Sequence, residues 1–169
     1  MIIWFKGVSG VGKSTLGSYF YNLKKKKIKN LVHVDGDSFR KLFNDDLGFT
    51  LKDRNTNAYR LLNFVKFLQS QKINVVVTAN LTSKKYQIMA KKNYHNYLSI
   101  FIESKLSNLM NRDKKKIYRN KKNIVGINIK YDKPKNFDLH IKNDFSKKSF
   151  LKKIKLIEKL ISNKKIIYD

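Results

Sequence analysis

Apolar residues fall in two rhythms along this chain. Short β-branched or aromatic runs occupy residues 2–5, 31–34, 73–78 and 98–102, with a weaker one at 138–141, and such runs read as strands. Between them, apolar residues recur three and four positions apart over 14–27, 54–70 (Leu61, Leu62, Val65, Leu68), 84–95, 104–111 and 147–162 (Phe150, Ile154, Ile157, Leu160, Ile161). That spacing predicts helices with one apolar face. Strand–helix alternation with short links predicts an α/β fold, a parallel five-stranded sheet flanked by helices, as one domain over residues 1–169. Residues 112–136 break the rhythm. They are charged and hold Gly126 and the only proline, Pro134; a long irregular segment inside a compact α/β domain is expected to be a lid.

Composition narrows the setting more than the function. There is no cysteine, which removes disulfides, thiolate metal sites and a cysteine nucleophile. No apolar run approaches the roughly 20 residues of a membrane span. The opening run MIIWF reads as a strand rather than a leader, so a cytoplasmic protein is expected. A net charge of +26 invites a polyanion partner. The excess is spread along the chain, +11 over residues 1–85 and +15 over 86–169. Lys, Asn and Ile are inflated together, as an AT-rich coding sequence would produce. Lysine is then background, and the other polar residues carry the information.

The first of these is the stretch GVSGVGKS, Gly7 to Ser14. It fits the phosphate-loop pattern G-x-x-x-x-G-K-S/T, with a strand before it and a helix after it. Glycines at 7, 10 and 12 let the backbone wrap so that N–H groups, including that of Ser9, and the helix N-terminus face a polyphosphate. Lys13 supplies a point charge to the β/γ-phosphates and the Ser14 hydroxyl a ligand for Mg²⁺. The pattern predicts a P-loop NTPase fold that binds ATP or GTP.

The second is HVDGDSFR, residues 33–40, which places Asp35 and Asp37 where the second strand ends. In an open α/β sheet that edge is where ligands sit. Two carboxylates there can hold Mg²⁺ or its waters and accept the proton of an attacking hydroxyl. Against 33 lysines stand only five arginines, at 40, 54, 60, 112 and 119, all near the strand-2 exit, on the following helix or at the lid. Arginine grips phosphate or sulfate through a planar fork that lysine does not replace. Arg54, Asn57 and Arg60 are expected on roughly one helix face; Arg112 and Arg119 bracket the lid entrance. Surface placement is the equal alternative for Arg60 and Arg119.

These stretches resemble the adenylylsulfate (APS) kinase family, P-loop kinases that phosphorylate the ribose 3′-hydroxyl of APS. The resemblance covers about residues 2–141. GVSGVGKST resembles the family's G-L-S-G-x-G-K-S/T, and DGDSFR its D-G-D-x-x-R. LGFTLKDRNTNAYR resembles L-G-F-S-x-x-D-R-x-x-N-x-R-R, NRDKKKIYRN resembles R-D-P-K-G-L-Y, and IVGINIKYDKP resembles F-T-G-I-D-x-x-Y-E-x-P. The resemblance implies that Gly7, Ser9, Gly10, Gly12, Lys13, Ser14, Thr15 and Arg112 serve ATP, and that Ser14 and Asp35 serve Mg²⁺. Asp37 is then the base at the 3′-hydroxyl with Asp35 on the magnesium waters, an assignment the motif alone leaves exchangeable. Arg40, Phe49, Arg54, Asn57, Lys115 and Ile124 fall on the acceptor side.

Three departures bear on the acceptor. Tyr59-Arg60 stands where the family has two arginines, RDKKK lacks the family's Pro and Gly, and Ile124 replaces the aromatic that stacks on the acceptor's adenine. An aliphatic gives up that stacking preference. The short layout is also similar to the cytidine diphosphoramidate kinase relative, which acts on the 3′-hydroxyl of a cytidine diphosphate analogue. The expected activity is an ATP- and Mg²⁺-dependent small-molecule kinase, with APS the first acceptor and CDP-phosphoramidate the alternative. The partners expected are nucleotide substrates, with no membrane, and the resemblance implies a homodimer. A polynucleotide kinase or nucleic-acid binder is the remoter reading, disfavoured because the lysine runs lack interleaved aromatics and arginines. A nucleotide-binding module without turnover is disfavoured by the intact acid pair.

Overall fold

The computed structural model describes residues 1–111, 118, 122–144, 146–164 and 166. Five strands, β1 (Ile2–Lys6), β2 (Leu31–Asp35), β3 (Asn74–Thr78), β4 (Tyr97–Glu103) and β5 (Leu139–Lys142), form one sheet in the order β2-β3-β1-β4-β5. Every neighbouring pair runs parallel. The weak run near 140 is therefore a true edge strand, paired with β4 from Ile100↔Leu139 to Glu103↔Lys142.

Alternation along β1 sorts the core into two layers, as a sheet covered on both faces requires. Ile3 and Phe5 join Val76, Ile100 and Ile102 on one face, beneath α1 (Lys13–Lys24), α6 (Lys147–Lys152) and α7 (Ile154–Asn163). Ile2 and Trp4 join Val75 and Val77 on the other, beneath α3 (Leu51–Ser70) and α4 (Lys84–Asn93). Of the apolar stripes expected on those helices, Leu61, Leu62, Val65, Phe150, Ile154, Ile157 and Ile161 are buried, while Leu68 and Leu160 are half-buried.

Several boundaries differ from the pattern-based expectation, among them α1 ending at Lys24 rather than 27 and α4 at Asn93 rather than 95. The helix expected over 147–162 is two helices meeting at Lys153. A short helix, α2 (Gly36–Lys41), occupies the D-G-D stretch, with the Asp35 side chain accepting from the N–H groups of Asp37 and Ser38. And α3 begins at Leu51 rather than 54, because Thr50 and Asp53 form a reciprocal capping box. The Thr50 hydroxyl accepts from Asp53 N (3.2 Å) and Thr50 N donates to Asp53 Oδ2 (3.2 Å). Such a box fixes the entry of a helix, and here it sets the position of the α3 residues that face the site. Thr50→Ala is expected to lower stability by about 1 kcal/mol, read as a lower urea midpoint with an unchanged m-value.

The described part of 112–136 is irregular, with a single bridge between Val125 and Ile129. It is nonetheless packed down: Tyr118, Ile124, Val125 and Ile129 are buried. No helix among the described residues is long and apolar enough to cross a membrane.

Candidate active site

The phosphate loop connects β1 to α1, and its shape depends on glycine at two points. Gly12, the N-cap of α1, has φ 100°, and a Cβ there would meet Phe150 at 2.9 Å. Gly7 has φ 141°, and its Cβ would fall 2.2 Å from the Ile102 carbonyl oxygen. Any side chain at either position collides with the packed domain. Three of the loop's carbonyls are tied by side chains. Asn143 Nδ2 donates to Val11 O (2.8 Å), Tyr118 Oη to Ser9 O (2.8 Å), and Lys13 Nζ to Val8 O (3.0 Å). The N–H groups of such a glycine-rich loop and of the N-terminus of α1 are what it offers an anion.

Next to this loop the tips of β2 and β3 lie in register, Asp35 opposite Thr78. Asp35 Oδ2 accepts from the Ser14 hydroxyl (2.7 Å) and the Thr78 hydroxyl (2.8 Å), and Oδ1 accepts from Asp37 N (3.1 Å) and Ser38 N (3.2 Å). Burial works to raise its pKa. The hydrogen bonds from Ser14, Thr78, Ser38 and Asp37 outweigh that and hold the carboxyl below its ordinary value. Thr78 spends its proton on Asp35, so its oxygen accepts from His33 Nε2 at 3.0 Å. Burial lowers the His33 pKa, against the pull of Asp35, which favours the uncharged ring. Asp37 joins this web through its backbone N–H; it is exposed, on the first turn of α2, and lines the cavity.

That cavity, of about 300 Å³, gathers most of the residues singled out in the sequence. Ser9, Gly10, Gly12, Lys13, Ser14 and Thr15 line it from the phosphate loop, Asp35, Asp37 and Arg40 from the β2 exit, and Arg54 and Asn57 from α3. Arg40 is 7% exposed; its guanidinium donates to the carbonyls of Leu47 (3.3 Å) and Gly48, while its Nε is buried without a partner. Arg54 donates to Phe49 O (3.0 Å) and to Asn123 O (3.0 Å). Burial, and then the neighbouring Arg40, push the Arg54 pKa down. Two like charges converge on one cavity wall, an arrangement that an anion between them relieves.

Other expected residues are placed elsewhere. Phe49 is 53% exposed and does not line the cavity; its ring lies beneath both guanidiniums, 5.0 Å from Arg40 and 5.5 Å from Arg54. Ile124 is 2% exposed, packed in the core cluster that also holds Tyr118 and Leu109, and is not on the cavity wall. Arg60 does not join Arg54 and Asn57: it pairs with Asp46 at the surface (2.9 and 2.7 Å). Arg112, Lys115 and Arg119 lie outside the described residues.

Sequence reasoning passed over Thr78, Asn80, Asn143, Lys147 and Phe150, all of which line the cavity. Thr78 carried a signal, being a polar residue at the end of an apolar run, but only the sheet order shows which loop it faces.

A family model described as Adenylylsulphate kinase matches residues 1–142. The chain belongs to that family. It is 36% identical over 169 residues to the cytidine diphosphoramidate kinase of Campylobacter jejuni, covering 95% of this chain and 96% of the relative. It is 30% identical over 148 residues to the adenylyl-sulfate kinase of Deinococcus deserti, covering 85% and 82%. Among solved structures, the APS kinase of Mycobacterium tuberculosis in complex with AMPPNP and APS superposes with a TM-score of 0.82 at 28% identity, covering 95% of this chain and 96% of that one. The chain is thus a kinase with the P-loop fold read from its sequence, and it uses a nucleotide donor.

Proposed function

We propose that this kinase transfers the γ-phosphate of ATP to the ribose 3′-hydroxyl of a nucleoside 5′-diphosphate-like acceptor, and that CDP-phosphoramidate is that acceptor. The observation that carries the choice is the end-to-end similarity to the cytidine diphosphoramidate kinase, which spans nearly all of both chains. The motifs alone favour APS; the full-length similarity moves the cytidine acceptor ahead. Ile124, buried in the core and off the cavity wall, does not bear on that choice. APS remains the second reading, supported by the family match and the relatives named for it.

The two carboxylates divide the work by their surroundings. Asp35 already accepts four hydrogen bonds and is held ionised, which suits a fixed anion and not a proton acceptor. Asp37, exposed on the cavity wall, takes the proton of the 3′-hydroxyl as its oxygen attacks the γ-phosphorus and ADP departs. Lys13 and the loop N–H groups carry the charge that builds on the phosphates. Mg²⁺ fits the hard oxygen donors that Ser14 and Asp35 place 2.7 Å apart, two protein groups being usual for an ion otherwise held by phosphates and water; bound there, it would neutralise charge on the donor's phosphates. Arg40 and Arg54 take the acceptor's anionic tail.

ADP release measured with ATP and either CDP-phosphoramidate or APS, side by side, tests the choice. Turnover with the cytidine acceptor at a higher kcat/KM is the expected outcome. Turnover with APS alone would replace this reading by the second one.

A further inference from the structure

Asn80 is the least satisfied polar side chain on the cavity wall. It follows β3 by two residues, and both its Oδ1 and its Nδ2 are buried without a hydrogen-bond partner. Across α3, Asn57 is 8% exposed and its Oδ1 is likewise buried and unpartnered. Buried polar groups are nearly always paired, and an unpaired one costs stability. The loop around Asn80 is not loose. Its carbonyls are tied in turn, Ala79 O by the buried Trp4 indole (2.8 Å), Leu81 O by Gln87 Nε2 (2.9 Å) and Thr82 O by Asp132 N (3.0 Å). A rigid backbone that leaves one amide unsatisfied over a cavity is the mark of a binding group.

We infer that Asn80, with Asn57 lining the same cavity, reads the amino-bearing edge of the acceptor's base. The chemistry follows from what the cavity lacks. The two side chains present two unpaired acceptor oxygens and one unpaired NH₂ donor. Cytosine and adenine each carry an exocyclic amino group, with two N–H donors, next to a ring nitrogen acceptor. One N–H can meet each Oδ1 while Asn80 Nδ2 donates to the ring nitrogen. Uracil and hypoxanthine present one N–H and a carbonyl on that edge, leaving one oxygen of the wall unpaired. A ribose hydroxyl offers a single O–H and cannot satisfy both amides. The acceptor's charged tail is met elsewhere, by Arg40 and Arg54, and its reacting hydroxyl by Asp37, so a neutral planar amide is free for the base.

This inference rests on the proposed kinase reaction but can be tested without turnover. With a non-hydrolysable ATP analogue filling the donor site, the full chain is titrated with cytidine against uridine 5′-diphosphate, and with adenosine 5′-phosphosulfate against its inosine counterpart. The wild type should prefer the amino-bearing member of at least one pair by on the order of tenfold or more, and the pair showing the preference identifies the base. Asn80→Ala and Asn80→Ser should shrink the preference to about twofold or less, with analogue affinity unchanged and Tm no lower than wild type, since an unsatisfied amide is removed. Equal binding within both pairs in the wild type would overturn the inference, as would an intact preference in both variants. A fall in Tm with loss of all nucleotide binding would assign Asn80 a structural role instead. Absence of ADP release from every acceptor counts against the kinase reaction itself, and leaves the base preference readable by titration.

Discussion

Asp37→Asn should lower kcat by a factor on the order of 10² or more, with the affinity for an ATP analogue and the Tm left at their wild-type values. Asparagine keeps the shape of the side chain and removes its ability to take the 3′-hydroxyl proton. The side chain is exposed on the cavity wall, and Asp37 N donates to Asp35 Oδ1 (3.1 Å), a hydrogen bond that asparagine at this position keeps. The loss should therefore appear in kcat and not in folding. Near-wild-type turnover would remove Asp37 as the base.

Asp35→Ala should fail in two ways at once, and the contrast separates the acids. Its carboxylate caps α2 and accepts the hydroxyls of Ser14 and Thr78. Losing an N-cap alone costs about 1 kcal/mol, and the buried Thr78 hydroxyl and the exposed Ser14 hydroxyl lose their acceptor besides. Turnover should fall by on the order of 10² or more because charge beside the donor's phosphates is gone, and Tm should fall with it. The acid limb of the stability profile carries the same information. The folded pKa of Asp35 lies below its ordinary value of 3.8, so its ionisation stabilises the fold above that value and the contribution is lost as pH falls through the folded pKa. The variant should lack that share of the wild type's acid lability; equal acid sensitivity in both would contradict the tight hydrogen bonding of this carboxylate.

The two acids illustrate what a linear sequence discloses. Their spacing and their place at a strand end identified them, but not their division of labour, because Asp35 is distinguished by Thr78, a residue 43 positions away. That contact exists only because β2 and β3 are parallel neighbours in register. The phosphate loop was legible because its function is local: eight consecutive residues carry both the turn and the charge. Arg60 was misplaced by treating six residues as one face. At 3.6 residues per turn, three residues return to within about 60° of the start, whereas six fall about 120° away, enough to swing Arg60 to Asp46. The six-residue α2 is too short to show periodicity. The break at Lys153 lies inside an unbroken apolar stripe, so nothing in that pattern marks it. Asn80 was invisible for a different reason. A single asparagine after an apolar run is an ordinary loop residue until the structure shows which cavity it faces and that its amide has no partner.

The position of the new phosphate tests the central claim most directly. After turnover with ATP and the preferred acceptor, a ¹H–³¹P correlation spectrum of the product should couple one new phosphomonoester to the ribose H3′, with ADP formed in equal amount. Phosphate on the 2′- or 5′-oxygen, or inorganic phosphate released from ATP without a phosphorylated acceptor, would contradict it.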